Sequence, residues 1–286
     1  MPRRATHALS LEVAVAAYRA NVTRRHRVRN ADQLVRFVDD CGFVFAFTTR
    51  TGDAAIPACF DHLSTADEGR KWAWMWRWKD ELAEGKRLFY GKLLVRKPTF
   101  VSMKILPAFY ATFGRAGEID DHLDDVRAGR ISDIGKRVIE HLAQHGETQT
   151  KRMRAQLGIV SDEGRREYAK AMEEVQRLMY VTMVRAVGEG REDYNYTYDL
   201  FVRRYPEAVR AAEAISSAEA GDALLARLVE LAGAVTAVQT QRLFEWDDER
   251  MKRAIARSET AGALRRVVGG RTDLLILPAL AGAASA

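Results

Sequence analysis

Apolar positions recur along the chain at helical and at strand spacing, and the switches between the two mark out its elements. Residues 9–23 are rich in Ala, Val and Leu with few breakers, which predicts a short amphipathic helix. Residues 31–41 set Leu34, Val35, Phe37 and Val38 on one side of a second helix. Gly42 stops that helix, and residues 43–47 read as a strand. Trp72, Trp74, Trp76 and Trp78 follow at strict two-residue spacing. That spacing predicts a strand with four indoles on one face. Residues 88–95 and 98–103 form a strand–turn–strand pattern, residues 104–113 a short helix, and Gly114 and Gly117 a loop.

The character then changes. Ile131, Ile134, Val138, Ile139 and Leu142 fall at helical spacing, and His145-Gly146 closes that helix. Thr148 opens a short second helix to Leu157, ended by Gly158. Ser161 caps a third, with Tyr168, Ala171, Met172, Val175, Leu178 and Met179 inward. Residues 180–187 and 194–200 are β-rich, separated by Gly188-Glu189-Gly190-Arg191. Three helices and a hairpin in this order describe a winged helix. The order recurs in residues 217–232 with Leu224, Leu225, Leu228 and Leu231, a short helix from Thr236, and a third helix from Asp247-Asp248. A hairpin around Gly269-Gly270 completes it. The expected fold is therefore helix-rich α+β, made of tandem winged helix-turn-helix modules with β-hairpin wings. Its expected parts are a basic arm (1–30), an N-terminal winged-helix-like module with Trp-rich strands (31–117), a middle winged helix (118–210) and a C-terminal winged helix (211–286).

Composition narrows the class. A chain with 47% hydrophobic and 29% charged residues can bury a core and is not disordered by default. Cys41 and Cys59 make neither a disulfide scaffold nor a zinc pattern. No run approaches the ~18 apolar residues of a membrane span, so a cytoplasmic protein is expected. The formal charge of +6 is local. Residues 1–30 hold seven arginines and one acid, and the remainder carries thirty-eight side chains of each sign. The arm reads as a solvated segment or first helix, although its Arg-rich, acid-poor composition also resembles a mitochondrial transit peptide.

Local clusters carry the candidate chemistry. Arg250, Lys252, Arg253, Arg257, Arg265, Arg266 and Arg271 lie on the last module's third helix and wing, where a winged helix meets phosphates. Asp247, Asp248, Glu249 and Glu259 dilute that charge, so a solvated helix face is the alternative. Lys151, Arg152 and Arg154 form a purer patch in the middle module. The tryptophans are either core or the wall of a cleft that stacks a planar ligand, with Trp76, Trp78, Lys79, Tyr90 and Lys92 as cleft residues. Asp80 and Glu81 beside the indoles are the acid–base candidates. His141 and His145 share a helical face without a third ligand, so neither metal nor cofactor is expected.

Several strings resemble the tandem winged-helix DNA glycosylases of the AlkZ/YcaQ type, and most closely their shorter AlkZ-related relatives. They are Trp76-Arg77-Trp78-Lys79-Asp80-Glu81-Leu82, Phe89-Tyr90-Gly91-Lys92-Leu93, Phe100-Val101-Ser102 with Leu106-Pro107-Ala108-Phe109-Tyr110, and Ser217-Ala218-Glu219-Ala220 before Leu224-Leu225. The resemblance implies three winged helices around a cleft for double-stranded DNA, where alkylated or crosslinked bases are excised. Active members carry Gln-x-Gln or Gln-x-Asp after a Gly-Leu-Leu-type run, and these side chains position the attacking water. The matching segment here is Gly42-Phe43-Val44-Phe45-Ala46-Phe47, which puts Phe45 and Phe47 at the polar positions. Phenylalanine cannot orient a water. Gln239-Thr240-Gln241 fits the letters but lies far along the chain. The expectation is a DNA-binding protein of this group without the catalytic pair. The alternatives are a divergent glycosylase that uses Asp80 or Glu81, and a winged-helix transcription regulator.

Overall fold

Three times along the chain a helix runs into a short strand, further helical structure follows, and a hairpin returns to pair with that strand. The computed structural model describes residues 3–48, 56–118, 120–188, 193–268 and 273–282, with side chains from residue 11 onward. After α1 (Arg3–Arg24), the first unit runs α2 (Ala31–Cys41), β1 (Phe43–Phe45), α3 (Glu68–Glu84), β2 (Leu88–Leu94), β3 (Lys97–Ser102) and α4 (Leu106–Ala111). The second runs α5 (His122–Arg127), α6 (Asp133–His145), β4 (Thr148–Gln149), α7 (Thr150–Gln156), α8 (Asp162–Arg177), β5 (Val181–Val187) and β6 (Asn195–Leu200). Two short helices, α9 (Phe201–Arg204) and α10 (Pro206–Glu213), lead to the third unit. That unit is α11 (Ser217–Ala232), β7 (Ala234–Thr236), α12 (Ala237–Phe244), α13 (Asp248–Thr260), β8 (Arg265–Val267) and β9 (Leu274–Ile276). All three sheets are antiparallel and share one order, β1-β3-β2, β4-β6-β5 and β7-β9-β8.

Local chemistry sets most of these boundaries. Asn30, Ser132, Ser161 and Asp247 each accept a backbone N–H three residues on, which starts α2, α6, α8 and α13. Ser216 and Glu219 close a reciprocal capping box on α11. Gly42 ends α2 at φ 82°, a conformation that glycine adopts without steric cost.

The tryptophan segment corrects the sequence expectation, because it is α3 and not a strand. Asp67 caps it by accepting from the Arg70 N–H, and Arg77 and Glu81 pair one turn apart at 3.6 Å. Met75, Trp78, Lys79 and Leu82 recur at three- and four-residue steps on its buried side. A two-residue period wrapped onto a helix cannot keep one face. Trp74 and Trp78 stack inward with centroids 5.1 Å apart, while Trp72 and Trp76 look outward. Trp78, expected in the cleft, is core at 2% exposure.

One apolar core runs through the first unit, α10 and the third unit, and a second core fills the middle unit. α1 is docked rather than solvated. Val15 is buried against Ala234 and Ile276. Arg19 donates to the carbonyls of Ala232 and Ala234 at 2.7 and 2.8 Å, satisfying acceptors at the end of α11. Among the described residues, no helix is long and apolar enough to cross a membrane.

Candidate functional site

α3 presents a large aromatic surface to solvent. Trp72 and Trp76, one turn apart, are 46% and 45% exposed. Phe47 stacks on Trp72 at 5.5 Å and lies 6.4 Å from Trp76, and Phe60 tilts against Trp72 at 4.6 Å. Burying indoles is strongly favourable, so two half-exposed tryptophans in one patch are a notable exposed apolar surface. Phe45 and Phe47, which the resemblance puts at the polar positions of the motif, are separated. β1 ends at Phe45, whose ring is in the core at 1% exposure, and the chain then turns Phe47 onto the aromatic face.

Behind Trp76 lies a caged lysine. The Lys79 side chain is 1% exposed, and its Nζ donates to Asp80 Oδ1 at 2.6 Å, to Tyr196 Oη at 3.1 Å and to Tyr194 Oη. All three ammonium protons therefore have acceptors. The Nζ also sits 4.3 Å from the Trp76 ring centroid, 4.8 Å from Tyr194 and 5.2 Å from Tyr196, with Tyr90 at 5.9 Å. Tyr194 donates in turn to Asp80 Oδ2 at 2.7 Å and meets Trp76 edge-on. α3 of the first unit is thus joined to the second unit's hairpin by a charged, fully bonded cluster. Asp80 is brought into it. Glu81 remains on the surface, paired with Arg77. Lys92 lies outside the cage and binds Glu173 of α8 at 2.5 Å.

Titration of the cage has a sign. Burial pushes the phenols of Tyr90, Tyr194 and Tyr196 above the ordinary 10.0. Unfolded tyrosines ionise first, so the stability these groups contribute is complete below pH 10 and is lost as pH rises through the folded values. Burial lowers Lys79 against the pull of Asp80, which acts in the opposite sense but only up to 10.5. Urea melts followed by phenolate absorbance are expected to show stability falling above pH 10.5, with phenol ionisation appearing only as the protein unfolds. Ionisation of every tyrosine before unfolding would contradict this.

The family model described as AlkZ related matches residues 28–245. The chain belongs to the AlkZ-related family. A solved structure of the Streptomyces sahachiroi DNA glycosylase AlkZ superposes with a TM-score of 0.55, over 95% of this chain and 71% of that one, at 13% identity. At that identity the likeness is one of fold. No curated protein matches in sequence.

The basic residues of this AlkZ-related chain divide between surface and scaffold. The start of α7 adjoins the cage, since Thr150 Oγ1 donates to the Tyr196 carbonyl at 3.1 Å and the Lys151 N–H to Asn195 Oδ1 at 3.3 Å. Lys151 and Arg152 are exposed beside it, and Arg154 is half-buried. In the third unit Arg250 points inward, contrary to expectation. It donates to the Thr112 carbonyl at 2.8 Å and the Ser217 carbonyl at 3.1 Å, and stacks on Trp246 at 4.9 Å. It joins α13 to the end of α4 and the start of α11, so its charge is spent inside the fold. Arg257 grips Asp222 through two bonds of 2.7 and 2.9 Å. Arg266 lies between Glu259 and Asp273. Lys252 and Arg253 are exposed but share Glu249, and Arg265 is exposed. Arg271 lies outside the described residues.

The Gln239-Thr240-Gln241 letters have structural uses. Gln239 accepts from the Thr236 N–H in a capping box, and Gln241 donates to Asp248 at 2.6 Å. His141 and His145 stack on each other at 4.3 Å. Sequence reasoning missed Tyr194 and Tyr196. Their signal was the Tyr-x-Tyr-x-Tyr alternation up to Tyr198, which shares one face of β6 and the residue before it.

Proposed function

We propose that this chain is a DNA-binding protein of glycosylase-like build, which holds duplex DNA where bases are unstacked and does so without the polar pair of active glycosylases. Each repeated unit, with its shared sheet order, fits a winged helix. The observation that carries the reading is the solvent-facing Phe47–Trp72–Trp76 surface, to which α7, with the exposed Lys151 and Arg152, is joined through Asn195 and the neighbouring Tyr194. Indoles at this exposure can stack on an unpaired base, and neighbouring cations can bind the flanking phosphates. Membership of the AlkZ-related family and the fold shared with a DNA glycosylase support DNA as the partner. On this reading the expected third-unit phosphate surface shrinks to Lys252, Arg253 and Arg265.

Fluorescence anisotropy on duplexes with and without a two-base bulge tests the proposal. The bulged duplex is expected to bind more tightly. A Trp72→Ala/Trp76→Ala double variant should lose about 10- to 100-fold on it, with little change on the plain duplex. Raising salt from about 50 to about 200 mM should weaken both, and less steeply in Lys151→Glu/Arg152→Glu. Binding unchanged by the double tryptophan variant would overturn the proposal. Base release from alkylated duplex that disappears in Asp80→Asn would replace it with a divergent glycosylase acting through Asp80.

A further inference from the structure

A second site lies away from the aromatic face, where the three units meet. A cavity of about 490 Å³ opens there between the β2 and α4 region, the end of α8, and the α12–α13 turn. This is the size range of small-molecule pockets. Phe109, Phe113, Phe244 and Trp246 give it flat apolar walls. Arg115 lines it, and that side chain is only 9% exposed.

Arg115 is held but incompletely bonded. Its guanidinium lies 3.9 Å from the Tyr180 ring and 4.6 Å from Phe113, and its Nη2 donates to the Leu178 carbonyl. Among the described residues its Nε and Nη1 have no hydrogen-bond partner, and neither does Nε of Arg177 on the same wall. Buried guanidinium donors left unpaired are costly, and folds seldom keep them without a use. The cavity's carboxylates do not meet this demand. Asp125 stands 4.0 Å from Arg115 Nη1, while its own oxygens accept from Arg130 at 2.6 Å and Tyr180 at 2.8 Å. Glu245 pairs with Arg177 at 3.0 Å. Asp247 caps α13, and Asp121 accepts the Gly117 N–H. Asp124, the fifth carboxylate of the lining, pairs with Arg127 at 2.5 Å, so the acids are engaged while Arg115 and Arg177 keep N–H donors to spare.

We propose that this junction binds a small organic oxyanion, a carboxylate or phosphate monoester on a flat apolar body. Its oxygens accept from Arg115, and its ring packs among the aromatic walls. The site is independent of DNA binding at Trp72 and Trp76, so either assignment can fail alone.

Isothermal titration and ligand-observed NMR on the full chain, without DNA, test it with benzoate, phenyl phosphate, inorganic phosphate and benzyl alcohol. At least one aromatic anion is expected to bind, at least about tenfold more tightly than benzyl alcohol or inorganic phosphate, and to raise Tm. The tighter of the two aromatic anions identifies the head group. Arg115→Gln is expected to cut affinity by about tenfold or more, the usual scale for a charge-assisted bond. Arg115→Lys keeps a cation against Tyr180 if the glutamine variant does not fold; it loses the forked N–H pair and should bind more weakly than the wild type but more tightly than Arg115→Gln. The proposal fails if neither aromatic anion binds the wild-type protein. It also fails if every folded Arg115 variant, charge-removing or not, binds as tightly as the wild type, which would place the anion elsewhere, for instance on the exposed cations of α7.

Discussion

Phe45→Gln is expected to cost about 3–5 kcal/mol of folding stability, whereas Phe47→Gln costs about 1 kcal/mol. The resemblance to the glycosylases assigns both positions to its polar pair and so treats them as chemically equivalent. The structure makes them different. Phe45 is at 1% exposure in the main core, on a strand paired with Thr99 of β3. Glutamine there removes most of the ring volume and buries an amide among apolar neighbours, and both effects destabilise. Phe47 lies beyond the strand, half-buried, with Trp72 on its face. Its replacement forfeits a ring stack and leaves the amide in reach of water. Urea denaturation of both variants checks the difference. Equal losses would mean that residue 45 is not core. Base release gained by the double variant would mean that the polar pair can be restored at these positions.

The features that were legible in sequence are those decided within one or two helical turns. Ser161, Thr236 and Asp247 announce helix starts because each satisfies an N–H three residues away. Gly42 and Gly233 announce helix ends because the chain there takes a positive φ. In the tryptophan segment four large rings at period two outweigh quieter helix signals. Those are Asp67 ahead of Glu68, the Arg77–Glu81 pair, and Met75, Lys79 and Leu82 at helical steps. The functional geometry was less accessible. The Lys79 acceptors Tyr194 and Tyr196 lie 115 and 117 residues away. Arg250 was grouped with phosphate-binding cations by charge, but its partner carbonyl at Thr112 lies 138 residues back. Whether an arginine meets solvent or a carbonyl is a tertiary fact, and side-chain identity alone does not carry it.

Lys79→Ala is expected to destabilise the protein by about 3–5 kcal/mol, the cost of leaving one half of a buried ion pair behind. Three acceptors lose their donor together, and Asp80, with its side chain only 20% exposed, loses its counter-charge. The rings of Trp76, Tyr194 and Tyr196 also lose the cation at their centre. Lys79→Met restores most of the volume but not the charge, so it should recover only part of the loss. Lys79→Met/Asp80→Asn removes both charges, and should be more stable than Lys79→Met alone, because a neutral pair no longer strands a carboxylate. Urea melts of the wild type, Lys79→Met, Asp80→Asn and Lys79→Met/Asp80→Asn form a double-mutant cycle, and a coupling of about 1–3 kcal/mol is expected. A cost below about 1 kcal/mol for Lys79→Ala, or strict additivity in the cycle, would show the cage to be loosely solvated. The cage also bears on function, because it ties Trp76 on α3 to the hairpin of the second unit. Under conditions where Lys79→Met stays folded, its preference for bulged over plain duplex should therefore shrink. A freed Trp76 must give up rotamer entropy to stack, and that cost falls on the complex in which the stack is made.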